Sequence, residues 1–197
     1  MANDAYKRYH KPNMSEKATT QQGYYKITNI DKYMDKNNPV VIYRSSWEFK
    51  LCRWCEVCPS VIRWSSEPIA IPYYDRVTNL NECVKLGLDP NNPVNWKKRN
   101  YNIDFYIEII TGKTPQNTPI IEKWLIEVKP AYKLEKPIQP NKNAKLKDFK
   151  RYNNLLKEYL INEAKFAAAK QYANKIGGKF HIFTEDVLKK LGILRIQ

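Results

Sequence analysis

Tyr101-Asn102-Ile103-Asp104-Phe105-Tyr106-Ile107 and Trp124-Leu125-Ile126-Glu127-Val128-Lys129-Pro130 bound the stretch that decides the fold. Both ends are rich in β-branched, aromatic and aliphatic residues, so each reads as a largely buried strand. Gly112-Lys113-Thr114-Pro115-Gln116-Asn117-Thr118-Pro119 between them reads as a turn. Side chains alternate across a strand, which puts Glu127 and Lys129 on one face and Ile126 and Val128 on the other. An Asp on one strand and Glu-x-Lys on the next can gather two carboxylates and an ammonium at a sheet end. Carboxylates brought together repel, which invites a divalent cation, and an oxygen-only ligand set argues for Mg²⁺ or Mn²⁺ over zinc. On these residues alone the alternative stays open that Asp104 ends a turn and Glu127 and Lys129 form an ordinary surface ion pair.

The 197 residues fit one domain with extensions, and 43% hydrophobic residues with five Trp and fourteen Tyr exclude a disordered chain. No run reaches the length of a transmembrane helix and the N-terminus lacks the layout of a signal peptide, so a cytoplasmic protein with no membrane partner is expected. Thirty-four Lys and Arg against 20 Asp and Glu leave a formal charge of +14, which points to a polyanionic partner, nucleic acid first. Cys52, Cys55 and Cys58, with Cys83 as a possible fourth, have the spacing of metal ligands. The first three also fall along one stripe of a predicted helix, where they read as partly buried thiols.

Residues 1 to about 37 are polar and mixed in charge, and read as an arm that packs loosely or orders on a partner, ahead of a domain over 38–197. Trp47, Leu51, Trp54 and Cys55 recur at helical spacing until Pro59. Ser45 and Glu48 form a capping box at the start of that helix; alternatively Glu48 leans toward the sheet as a third acidic ligand. Val61–Trp64 and Ile69–Tyr73 read as strands, with Glu67 at a strand end in the Ser65-Ser66-Glu67-Pro68 bend. Residues 75–100 read as an insertion whose basic tip, Lys97-Lys98-Arg99, either holds a phosphate backbone or is a solvated loop.

Beyond Pro130, residues 131–151 carry seven Lys or Arg, among them Lys133, Lys136, Lys142, Lys145 and Lys147, against Glu135 and Asp148. With Pro137 and Pro140 included, residues 131–147 read as a mobile basic segment suited to gripping a DNA backbone, or as a plain charged linker. A long helix is predicted from Asp148 to Ile176, stopped by Gly177-Gly178. A strand over Phe180–Phe183 and a short helix capped by Thr184 follow, and His181 reads as a packed strand residue.

The order helix, strands, Asp strand, Glu-x-Lys strand, long helix, strand resembles the PD-(D/E)xK core of restriction-type nucleases. In wording it is closer to the head completion nucleases of tailed phages, and more distantly to transposon-end endonucleases. The resemblance covers about residues 40 to 185. It is carried by Tyr43-Arg44-Ser45-Ser46-Trp47-Glu48, Trp64-Ser65-Ser66-Glu67-Pro68, Tyr101-x-x-Asp104-Phe105 and Ile126-Glu127-Val128-Lys129-Pro130. It departs at Ile103, where the family usually has proline, and in the long 75–100 segment.

The resemblance implies an α/β, restriction-endonuclease-like fold in which Asp104 and Glu127 bind Mg²⁺ or Mn²⁺, Glu48 completes the site and Lys129 is the catalytic lysine. By similarity to the core's second helix, Asn162 and Lys165 on the long helix look toward the site, while Glu67, at its strand end, either faces that site or faces water. The implied activity is a metal-dependent deoxyribonuclease of phage head completion, working in the infected host's cytoplasm or on the virion head, with portal or connector proteins as partners. The alternatives are a transposon-end endonuclease with a partner recombinase, and a DNA-binding head component whose nuclease core is vestigial.

Overall fold

A computed structural model describes residues 22–78 and 80–194, so most of the expected arm lies outside the described residues. The elements run β1 (Gly23–Lys26), β2 (Val40–Tyr43), α1 (Ser46–Val57), β3 (Val61–Ser66), β4 (Ala70–Asp75), α2 (Leu80–Lys85), β5 (Lys97–Asn102), β6 (Phe105–Lys113), β7 (Pro119–Val128), α3 (Leu146–Lys175), β8 (Lys179–Phe183) and α4 (Glu185–Lys190). The central sheet is mixed, in the order β3-β6-β7-β8. β6 and β7 form the expected antiparallel pair, and β8 returns parallel to β7 after the α3 crossover, the connection a parallel neighbour requires. Among the described residues no helix is long and apolar enough to cross a membrane.

The two-residue period of the central strands sorts the apolar residues into two clusters. Phe105, Ile107, Ile109 and Ile126 face a layer built from α1, the β1-β2 pair and α4, with Leu51, Cys52, Cys55, Tyr43 and Leu188 at its centre. Tyr106 and Leu125 face the other way, where α3 sets Ala169 and Ala173 against the sheet beside Tyr73 and Tyr101 of the β4-β5 pair and Ile103 just after it. Small residues at those α3 positions allow the helix axis to come close. Cys52 and Cys55 are buried apolar side chains here; no disulfide forms among the four cysteines, and among the described residues no cluster of His, Cys, Asp or Glu is arranged to hold a metal.

Three expectations need correction. The arm does not extend to residue 37: β1 pairs with β2, and Tyr25, Ile27 and Tyr33 are buried. The buried Glu56 of α1 ties this segment down, accepting from the Tyr25 hydroxyl and from the backbone N–H groups of Thr28 and Asn29 at 2.6 and 2.8 Å. Lys97, Lys98 and Arg99 are not a loop tip but the first half of β5, in register with β4 from Asp75↔Lys97 to Ala70↔Asn102. Finally, Asn102–Ile107 is not one strand. It breaks at Ile103–Asp104, and the halves pair with different partners, β5 with β4 and β6 with β3 and β7.

At the other end, α3 starts at Leu146, slightly earlier than expected, so Lys147 is helical. It ends on Gly177, whose φ of +67° is a left-handed conformation that a side chain resists. Gly178 is needed for a different reason: an added Cβ would sit 2.6 Å from the Lys123 carbonyl oxygen. Gly178→Ala must push β8 away from β7 and is expected to lower stability by about 1–3 kcal/mol, read as a fall in the thermal midpoint. An unchanged midpoint would show that this edge yields freely. Thr184 occupies the α4 N-cap position, but its side chain makes no capping hydrogen bond.

Candidate active site

The strand break is what positions Asp104. Where β5 gives way to β6, the Asp104 carbonyl accepts from the Glu67 N–H at 2.9 Å and its Oδ2 accepts from the Val128 N–H at 2.8 Å. The carboxylate is therefore held against the end of β7. Glu127 comes from the α3-facing side of β7 and is only 6% exposed. Its two oxygens accept from the Tyr101 hydroxyl at 2.5 Å and from Lys129 Nζ at 2.7 Å. Lys129 Nζ also stands 3.4 Å from Asn162 Oδ1 and 5.7 Å from the centre of the Phe166 ring. Lys165 lies one helical step along α3, its Nζ 5.4 and 5.9 Å from the Tyr101 and Tyr73 rings. The structure thus brings together Asp104, Glu127, Lys129, Asn162 and Lys165.

These groups feel one another. Burial, then the charges of Glu127 and Glu48, push the Asp104 carboxyl well above the ordinary aspartate range, against the opposing Val128 N–H and Lys129. Burial also raises the Glu48 carboxyl, partly offset by its hydrogen bonds to Arg44 and Ser45. Lys165 is shifted the other way, its ammonium disfavoured by burial and by Lys129. The site is a desolvated acidic centre with two amines on its α3 side.

Glu48 does make a cap. Its Oε2 accepts from the Arg44 N–H at 2.7 Å and its Oε1 from the Ser45 hydroxyl at 2.8 Å, while Ser45 Oγ accepts from the Glu48 N–H at 3.1 Å. The cap coexists with an electrostatic effect of Glu48 on Asp104. Glu67 takes a left-handed backbone, φ +47°, and its carboxylate is bridged by Arg44. Arg44 and Tyr101 are contributors that residue-by-residue reasoning missed. Both lie inside the motifs quoted above, Arg44 just before the cap and Tyr101 three residues before the aspartate.

As they stand, no three of these acids converge on one point among the described residues, because their oxygens are turned to protein donors. The donor chemistry nevertheless fits a hard divalent cation: the centre offers carboxylate oxygens only, and their mutual repulsion at Asp104 is what a cation would relieve. Asp104 and Glu127 could ligate directly, whereas Glu48 would have to release a cap donor to join them. His181 is elsewhere, packed against Trp124 with ring centres 4.8 Å apart.

The expected DNA contacts are divided. Lys97, Lys98, Lys136, Lys142, Lys145 and Lys147 are exposed. Arg99 is paired with the buried Asp75 at 2.9 Å, and Lys133 with Glu158 at 3.0 Å, pinning the start of the 131–145 segment to α3.

Residues 58–185 match the family described as TnsA-like endonuclease N terminal. The chain is also similar to the Head completion nuclease of Enterobacteria phage T4, with 31% identity over 164 residues, 83% of this chain and 91% of that protein. No solved structure matches it. The aligned span takes in the whole mixed sheet and α3, the elements that carry the Asp104–Glu127–Lys129 cluster. The chain belongs to the head completion nuclease family, built on the restriction-endonuclease-like fold of the TnsA-like endonucleases.

Proposed function

We propose that the protein is a divalent-metal-dependent deoxyribonuclease that trims or cuts DNA during phage head completion, before head and tail join. The observation that carries this reading is the Asp104–Glu127–Lys129 cluster, a desolvated pair of carboxylates with an ammonium 2.7 Å from one of them. Family membership supplies the biological setting, and the charge of +14 suits the polyanionic substrate.

Asp104 and Glu127 would hold the ion, which when bound polarises a phosphoryl oxygen and makes water a competent nucleophile near neutral pH. Lys129 orients the attacking water or neutralises charge developing on the phosphoryl oxygens. Tyr101 and Asn162 hold Glu127 and Lys129 beside each other. Exposed cations on β5 and in the 136–147 stretch hold the backbone on either side. The setting would be the infected cell's cytoplasm or the head itself, with portal or connector proteins nearby.

Plasmid incubated with the protein and Mg²⁺ should be nicked or degraded, and EDTA should stop this while DNA retention persists and weakens with rising salt. Retention without any cleavage across Mg²⁺ and Mn²⁺ would favour a vestigial core. Cleavage confined to particular end sequences and dependent on a recombinase would favour the transposon-type role.

A further inference from the structure

The first four turns of α3 project past the sheet, since the buried residues of this helix begin only at Asn162. Along the projecting part, Tyr152, Leu155 and Tyr159 form a stripe at three- and four-residue spacing, and the stripe continues to Asn162 and Phe166. The segment after β7 folds back over it, fastened by Lys133 to Glu158, and the two line a half-open cavity of about 500 Å³. Tyr132, Tyr152 and Tyr159 line that cavity together with Pro137 and Ile138. A second cavity of about 260 Å³ shares Lys133 and Tyr159 with the first and reaches Asn162 and Phe166, the two residues nearest Lys129 on α3. The two cavities thus adjoin, and the second is bordered by side chains that touch Lys129, though neither is lined by Asp104, Glu127 or Lys129 itself.

We infer that the larger cavity is a binding site for an unpaired nucleotide of the DNA substrate. The inference rests on the nuclease reading for its substrate and adds where a single-stranded part of it goes. Three observations point to a base. The volume falls in the range of small-ligand sites. Three tyrosines offer flat faces, which bind any base by stacking. The charged lining is close to balanced, Lys133, Lys136 and Arg151 against Glu135, Asp148 and Glu158, which suits an uncharged heterocycle better than a phosphate.

The surplus positive charge lies on the adjoining chain, at Lys142, Lys145, Lys147 and Lys150, all exposed, where the strand's phosphates need it. A base inside a duplex is stacked and paired and presents only its edges, so the cavity selects frayed or single-stranded ends. Tyr152 and Asn162 are about 15 Å apart along the helix axis. The captured base would thus lie a few nucleotides from the bond to be cut.

The test is equilibrium binding of fluorescent oligonucleotides to the full chain in EDTA, where nothing is cleaved. A duplex with a four-nucleotide overhang of either polarity should bind about tenfold tighter than the blunt duplex, and an abasic overhang, which keeps the phosphates and lacks the bases, should lose most of that gain. Tyr132→Ala, at a side chain that is largely exposed, and Tyr152→Ala should each remove about tenfold of the overhang affinity and leave blunt binding unchanged. Equal affinity for blunt and overhang DNA overturns the proposal, as does an equal loss on both DNAs or no loss on either. Plasmid cleavage in Mg²⁺ is scored separately. Discrimination without cleavage would remove the nuclease reading and leave the cavity, and cleavage without discrimination would do the reverse.

Discussion

Lys129→Met is expected to lower the cleavage rate by about 10³-fold at saturating DNA while changing DNA affinity little. A preorganised donor aimed at charge that develops in the transition state contributes on the order of 10²–10³ in rate. Lys129 meets the structural requirement, because Glu127 at 2.7 Å and Asn162 at 3.4 Å fix its ammonium and its side chain is only 17% exposed. Affinity is spread over many exposed cations, so removing one lowers the salt dependence of binding by at most about one unit of slope. Methionine keeps most of the volume beside Phe166 and deletes only the charge. Lys129→Arg should not rescue, since a planar guanidinium would clamp the Glu127 carboxylate from both sides instead of offering a compact charge. Single-turnover cleavage and filter binding decide the matter together. A Lys129→Met variant cutting within about threefold of wild type would take Lys129 out of the chemistry, that loss being far below the range such a donor supplies.

How much of this could be read beforehand depends on whether the signal was local. The alternation in Trp124–Lys129 fixes the face of Glu127 and Lys129, and the structure puts them side by side as that period requires. The same holds for the long helix predicted from Asp148 to Ile176, which the structure packs on the sheet by Ala169 and Ala173. What escaped was non-local. Tyr25, Ile27 and Tyr33 have no period of their own and are buried by partners on α1, β2 and β3. Lys97-Lys98-Arg99 read as a tip because nothing local announces that β4 will pair with it. The break at Ile103–Asp104 was hidden inside a run of strand-forming residues, yet it is this break that turns the aspartate toward β7. Arg44 and Tyr101 were invisible as site residues because their significance lies in Glu67 and Glu127, far along the chain.

Asp104→Asn should abolish cleavage and, in the absence of divalent cations, make the protein more stable. The sign follows from the direction of the shift. Burial, Glu127 and Glu48 raise the Asp104 carboxyl above its ordinary value, so the folded protein binds this proton more tightly than the unfolded chain does. The group's favourable contribution is fully present below the ordinary aspartate value of about 4. It is lost as pH rises through the raised folded value, above which the ionised side chain is a net cost. Asparagine keeps an oxygen for the Val128 N–H and carries no charge.

In EDTA at pH 8 the Asp104→Asn variant should therefore melt several degrees above wild type, one kcal/mol of relieved repulsion being about 2–4 °C in a chain of this size. The gap should close toward pH 4, where wild-type Asp104 is protonated as well. The pH dependence left in the variant over that window comes from the other shifted groups, among them Glu48, whose carboxyl burial raises, and His181, whose imidazole burial lowers. Mg²⁺ should raise the midpoint of wild type by mass action and leave the variant nearly where it was. Thermal scans from pH 4 to 8, with and without Mg²⁺, measure all of this without reference to activity. If the variant melts at or below wild type throughout, Asp104 is a stabilising hydrogen-bond acceptor, and the acidic centre is not held in readiness for a cation.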